Sequence, residues 1–358
     1  MEIKITEIAP EKMKIKPEDE NNLGFGKIFT DHFFIMKYTK EAGWNSASVE
    51  PYRSLTLDPA AMCFHYGQEI FEGLKAYRGT DDSIYLFRPK ENIERMNQSA
   101  EGLCMPQIDE ALFMDALQKL VMLEKDWVPH SNGTSLYIRP TMIATERAVG
   151  LHVSSEYIFF IILSPVGAYY PQGFSPTKIY VSEKYVRAAE GGIGYCKAAG
   201  NYAASFYAGE EASNMGYTQV LWLDAKERKN VEEVGTSNIF FVIGDNLITP
   251  PLSGSILPGV TRRSVIEMAS SWGINVQERT LSMDEIIRAH SAGTLKEVFA
   301  SGTAAVISPV GHIYYKGSEY CINADKTGPL TDRLYHELLQ IQYGKKEDPF
   351  GWRVKISA

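Results

Sequence analysis

Hydrophobic and polar positions follow different periods on the two sides of SPVGAYYPQGF, residues 164–174, where Gly and Pro interrupt a strand-like run and no period survives. This stretch is the expected linker between a first domain over 1–163 and a second over 175–358. Before it, Leu112, Ala116, Leu117, Leu120 and Val121 share one helical face behind Asp109, and Pro89 opens a shorter helix through Ile93 and Met96. Apolar runs predict strands over 33–38, 83–87, 135–139 and 157–163. After the linker, strands dominate, over 178–182, 219–223, 238–243, 247–249, 276–280 and 297–309, with Gly244-Asp245-Asn246 turning a hairpin. Helices are predicted over 260–272, ended by Gly273, behind the capping box of Ser282 and Glu285, and over 331–343. The pattern is α/β of the α+β kind: two domains with mixed or antiparallel sheets, the first a small α/β domain and the second larger and barrel-like.

Length agrees, since 358 residues at about 150 per domain make two. A composition 44% hydrophobic and 22% charged excludes disorder, collagen and coiled coil. Thirty-six Lys plus Arg against 44 Asp plus Glu leave a net charge of −8, which repels polyphosphate and anionic lipid, so neither nucleic acid nor a membrane is an expected partner. No uncharged apolar run reaches the ~18 residues of a bilayer span, and MEIKITEIAPEKMKIKPEDE carries no secretory pattern, so a cytoplasmic location is expected. Cys63, Cys104, Cys196 and Cys321 form no C-x-x-C pair and the seven histidines no H-x-x-x-H, so no metal is expected.

Candidate chemistry begins with glycine, which lets backbone approach a phosphate. Gly192-Ile-Gly-Tyr-Cys-Lys197 fails the dinucleotide fingerprint because a lysine holds the third glycine position, and no G-x-x-x-x-G-K-[ST] exists. Lys197, in GGIGYCKAAGNYAAS, has small neighbours that would let a flat ligand approach, which suits Schiff-base chemistry, while most lysines are ordinary solvated charges, so other segments must decide. SILPGVT, leading into the helix at Val260, and Ser301-Gly-Thr303-Ala-Ala305 are each an ordinary cap or turn, or together sites for one phosphate and one carboxylate. Glu233, at a Gly-marked bend before the core strand IFFVI, is either a structural ion pair or a carboxylate that keeps a ring nitrogen protonated.

Taken together, HYGQEIFEGLKAYRG, FRPKENIERM, SLYIRP, YCKAAGNYAAS, EVGTSNIFF, SILPGVTRRS and SGTAAVISPV resemble the branched-chain amino-acid aminotransferases, pyridoxal-phosphate enzymes of fold type IV. The resemblance implies pyridoxal 5'-phosphate as cofactor, with Lys197 as its Schiff-base lysine, Glu233 at the pyridine nitrogen, Tyr202 at the ring hydroxyl and Thr236 near the ring. It implies a phosphate held by Arg95, the amides of Val260 and Thr261, and Thr303. Phe25, Phe71, Tyr137 and Arg139 match pocket-lining positions, Thr303 and Ala304 the amides for the α-carboxylate, and Tyr66, Val149 and Leu151 positions that reach in from the second subunit of a homodimer with shared active sites. Tyr137 and Arg139, two apart on a predicted strand, point to one face. The implied reaction is ping-pong exchange between L-leucine, L-isoleucine or L-valine and 2-oxoglutarate, so the partners are small amino acids and 2-oxo acids. The alternatives are a D-amino-acid aminotransferase, an aminodeoxychorismate lyase-like enzyme of the same fold, or a silent cofactor carrier.

Overall fold

The structure, a computed structural model, describes residues 1–167, 169 and 173–356. By contacts the chain forms two compact units: Met1–Tyr169 with Cys196–Ala199 and Gln340–Ala358, and Tyr170–Tyr195 with Gly200–Leu339. This differs from a single cut near 164–174, because two later segments, one holding Lys197, make their contacts with the first unit.

The first unit is built on one sheet. Its strands are β1 (Lys4–Ile5), β2 (His32–Thr39), β3 (Gly43–Pro51), β4 (Glu69–Phe71), β5 (Leu74–Arg78), β6 (Ile84–Phe87), β7 (Ser135–Ala144) and β8 (Glu156–Val166). They run in the order β1-β3-β2-β8-β7-β5-β6, followed by the C-terminal strand Arg353–Lys355, with β4 also beside β7. Every pairing is antiparallel except β1 with β3. Ser164–Val166, expected in the linker, continue β8, with Leu136 opposite Pro165 and Ser135 opposite Val166. The proline is tolerated because β2 pairs with β8 only as far as Ile161, so its missing N–H falls beyond that ladder. Of the linker, residues 168 and 170–172 lie outside the described residues.

Three helices complete this unit: α1 (Met62–Tyr66), α2 (Pro89–Gly102) and α3 (Glu110–Leu123). Asp109 caps α3 by accepting from the Leu112 amide, and the buried stripe Phe113, Ala116, Leu117, Leu120 and Val121 follows the predicted face. α2 starts at Pro89 and buries polar Asn92, Arg95 and Ser99 beside Ile93 and Met96. On β7, Leu136, Ile138 and Met142 face the core, while the opposite face carries Tyr137, Arg139 and Thr141. The N-terminal arm is fastened to buried polar groups. His32 Nε2 accepts from the Ile8 amide at 2.8 Å, and its Nδ1 faces Glu124. Asp31 accepts from the Lys14 amide at 2.8 Å and from Trp127 Nε1 at 3.0 Å.

The second unit holds β9 (Thr177–Val181), β10 (Gln219–Leu223), β11 (Val231–Val234), β12 (Asn238–Ile243), β13 (Asn246–Thr249), β14 (Asn275–Glu278), β15 (Leu295–Gly302), β16 (Val306–Tyr315) and β17 (Ser318–Cys321). Their order is β11-β10-β9-β16-β15-β12-β13-β14, with β17 on β16. Its helices are α4 (Ala199–Ala203), α5 (Phe206–Asn214), α6 (Val260–Ser271), α7 (Met283–Ser291) and α8 (Pro329–Gln342). Ile179, Leu221, Ile239, Phe241, Val298 and Ile313 pack with Met283 and Ile286 of α7 into its core, and Ser282 caps α7 as predicted. The run expected as one strand over 297–309 is two. β15 turns at 303–305 and pairs back as β16, Ser301 opposite Ile307 and Gly302 opposite Val306. Small residues permit the turn, and Val306 accepts a left-handed φ of 62° at its exit.

Candidate active site

In the first unit, β4 and α2 pin the backbone around Lys197. The Phe71 amide donates to the Lys197 carbonyl at 3.0 Å, Ala198 bridges to Ile70, and the Lys197 amide donates to Ser99 Oγ at 2.9 Å. The Lys197 ammonium lies 4.9 Å from the Phe71 ring centroid. The Arg139 guanidinium lies 4.7 Å from that ring and 5.3 Å from Tyr137, and its Nη2 donates to the Tyr137 hydroxyl at 3.0 Å. Phe25 meets the Tyr137 ring edge-on at 5.0 Å. Phe25, Phe71, Tyr137 and Arg139 are thus gathered with Lys197. The buried Nε of Arg139 has no hydrogen-bond partner among the described residues.

Arg95 is buried, and its fork is engaged. Glu72, fully buried, accepts from its Nε at 2.7 Å and its Nη2 at 2.9 Å, and also from Asn92 Nδ2 at 2.8 Å and the Gly73 amide at 3.0 Å. Burial pushes the Glu72 carboxyl up, but the Arg95 charge and hydrogen bonds, with the Lys197 charge, outweigh burial and hold it below the ordinary range. Sequence reasoning missed Glu72, Asn92 and Ser99. The one signal was an acid between Phe and Gly, just ahead of a buried strand.

The second unit holds Glu233 on β11, not at a bend; the left-handed Gly235 follows the strand. Arg187 Nε donates to Glu233 Oε2 and Arg187 Nη2 to the Gly194 carbonyl at 2.7 Å. Asn238 Nδ2 donates to Glu233 Oε1 at 3.2 Å and to the Leu257 carbonyl at 2.9 Å. Burial pushes the Glu233 carboxyl above its ordinary value, opposed by Arg187. Arg187 was also missed. α6 opens on Gly259 with no side-chain cap, so the amides of Val260 and Thr261 begin the helix unserved by a cap. A Cβ on Gly259 would sit 2.0 Å from Asn238 Oδ1, so a larger residue there would force Asn238 to shift. Thr303 and Ala304 occupy the β15–β16 turn, beside Ser301, whose buried Oγ lacks a partner among the described residues. Thr236 is exposed in the β11–β12 turn, and Tyr202, in α4, is half-buried.

Tyr66 donates from its hydroxyl to the Val149 carbonyl. Val149 and Leu151 are 69% and 81% exposed, and Phe64 and Val153 are exposed with them. Among the described residues the four cysteines are free, no His, Cys, Asp or Glu group could hold a metal, and no helix is long and apolar enough to cross a membrane.

A family model described as amino-transferase class IV matches residues 69–313. The branched-chain-amino-acid transaminase 1 of Bacillus subtilis (strain 168) is 53% identical over 344 residues, 96% of this chain and 96% of that protein. The solved branched-chain amino acid aminotransferase of Escherichia coli is similar with a TM-score of 0.76 at 27% identity, over 91% of this chain and 99% of that one. A solved T.th. branched-chain amino acid aminotransferase, complexed with N-(5'-phosphopyridoxyl)-L-glutamate, is similar with a TM-score of 0.75 at 26% identity, over 90% of this chain and 98% of that one.

Proposed function

The chain belongs to the class IV aminotransferases, as a branched-chain-amino-acid transaminase that uses pyridoxal phosphate, and from that premise we propose that it exchanges amino groups between L-leucine, L-isoleucine or L-valine and 2-oxoglutarate in a ping-pong sequence. The donor set suits the cofactor. An α6 start without a side-chain cap offers amides to a phosphate, and a buried carboxylate, Glu233, suits a protonated ring nitrogen. Lys197, Tyr202, Thr236, Thr303 and Arg95 complete the proposed binding set, with Arg95 held in orientation by Glu72. When bound, pyridoxal phosphate supplies the carbonyl that takes up the substrate amine and the electron sink for the Cα carbanion.

The chain's own residues supply the rest. Lys197 Nζ removes the proton from the substrate Cα and returns one in forming the product. Glu233, paired with Arg187, would serve as the carboxylate that holds a proton on the ring nitrogen. Phe71, Tyr137 and Phe25 provide an apolar wall that keeps water from an aliphatic side chain. The amides of Thr303 and Ala304 hold the α-carboxylate. The exposed apolar set around Val149 and Leu151 supports a homodimer in which these residues and Tyr66 complete the partner's pocket. Four free thiols among the described residues suit the cytoplasm we propose for it.

The observation that carries dual specificity is Arg139, a cation lying against this wall with a buried Nε that has no partner among the described residues. An unpaired γ-carboxylate against the wall would cost several kcal/mol. Arg139 pairs with it when glutamate or 2-oxoglutarate binds and rests on Phe71 and Tyr137 when leucine does. Arg139→Ala should therefore lower kcat/KM for glutamate more than for leucine by about 2 kcal/mol or more, in half-reactions followed by cofactor absorbance. Equal losses for both substrates would remove Arg139 from side-chain recognition.

A further inference from the structure

We propose that Glu69 is a specificity-positioning residue, an internal carboxylate that engages Arg139 when the bound side chain is aliphatic and yields it when the substrate brings its own distal carboxylate. This rests on the reading of Arg139 given above. The register between β4 and β7 sets Glu69 opposite Ile143 and Phe71 opposite Thr141. Glu69, Phe71, Thr141 and Arg139 therefore share one face of the sheet, with Phe71 between the acid and the arginine along the strands. Arg139 already lies over that intervening ring, 4.7 Å from its centroid, and its Nε is unpartnered among the described residues.

Glu69 is half-buried, and its carboxylate makes no hydrogen bond or ion pair among the described residues. Burial pushes its carboxyl upward, and the one charge opposing that shift is Arg139. Of its other ionisable surroundings, the Cys63 thiol is itself pushed up, by burial first and then by Glu69, and the Lys197 ammonium lies on the Phe71 ring. Two opposite charges on one face, each short of a partner, stabilise each other while the pocket holds an aliphatic chain. A γ-carboxylate arriving at Arg139 must displace Glu69 and meets its negative charge. Glu69 thus acts through Arg139 to set how strongly the anionic substrate competes with the aliphatic one.

The test measures both half-reactions of the holoenzyme with Glu69→Gln, which keeps shape and removes charge. The kcat/KM ratio of glutamate over leucine should rise about three- to tenfold, the scale of a partly exposed charge pair, with the change in KM of the anionic substrate. Glu69→Asp, which keeps the charge, should stay near the wild-type ratio. In an Arg139→Ala background the Glu69→Gln effect should vanish. A merely structural role would alter both half-reactions alike, so an unmoved or lowered ratio overturns the proposal, as does an effect that persists without Arg139. If Arg139→Ala alone spares glutamate or lowers both substrates alike, the underlying reading of Arg139 fails. If it penalises glutamate and Glu69→Gln changes nothing, only the role of Glu69 fails.

Discussion

Adding one methyl group at Gly73 tests how tightly the substrate wall is built. Gly73 lies between β4 and β5, and a Cβ there would stand 2.1 Å from the Tyr137 hydroxyl oxygen and 2.9 Å from its Cζ. Ordinary contact starts near 3.4 Å, so the hydroxyl would have to retreat by more than 1 Å. Its φ is not in the left-handed region, so Gly73→Ala adds no backbone penalty and the clash acts alone. Tyr137 has little room, with Phe25 against its edge at 5.0 Å and Arg139 Nη2 on its hydroxyl at 3.0 Å. Overpacking of this kind costs about 1–3 kcal/mol, and pulling the hydroxyl off Arg139 forfeits a hydrogen bond to a charged group, about 1.5–3 kcal/mol gross. Urea unfolding of Gly73→Ala, Tyr137→Phe and the double variant forms a cycle. Removing the hydroxyl removes the worst contact and leaves the Cζ contact, so the double variant should recover about 1 kcal/mol relative to additivity. In the half-reactions, Gly73→Ala should weaken glutamate more than leucine, because it disturbs the group that orients Arg139. An unshifted midpoint with additive effects would show that Tyr137 has room the structure does not give it.

Glu72→Gln should destabilise the protein by about 3 kcal/mol, because it leaves the Arg95 guanidinium buried without its counter-charge; an unfolding midpoint equal to wild type would contradict this. Burial lowers the Lys75 amine from 10.5 to about 8, so between those values the unfolded chain binds a proton that the folded one does not, and stability rises with pH through that window. Lys75→Met should therefore stabilise more at pH 7 than at pH 10.5, the difference approaching about 3 kcal/mol, and an equal effect at both pH values would refute it. Ser282→Ala should cost about 1 kcal/mol in thermal or urea unfolding, since Ser282 Oγ serves the Glu285 amide at 3.2 Å at the head of α7.

The elements legible in the sequence were those whose burial is one-sided and periodic. α3 kept its predicted stripe behind Asp109, and β10 and β12 fell on their expected residues. β3, GWNSASVEP, was illegible because half its positions are polar and its pairing comes from β2. The break between β15 and β16 was hidden because apolar alternation continues on both sides of three small residues. Among candidate site residues, Lys197 and Glu233 stood out by their local chemistry, and Tyr137 and Arg139 entered through the family resemblance. Glu72 and Arg187 were not legible, since each is defined by a partner 23 or 46 positions away. An ion pair closed by the fold leaves no local period.

The fastening of the N-terminal arm has a consequence during synthesis. The Ile8 amide needs His32 with its proton on Nδ1, a tautomer set by Glu124, and the Lys14 amide needs Asp31, which Trp127 holds from the other side. The segment around residues 8–14 therefore has no complete docking surface until residue 127 has been made, several seconds later at about 5–20 residues per second. Through that interval the segment stays undocked, open to proteases and to chaperones, and it becomes part of the folded protein only when a segment more than a hundred residues behind it arrives.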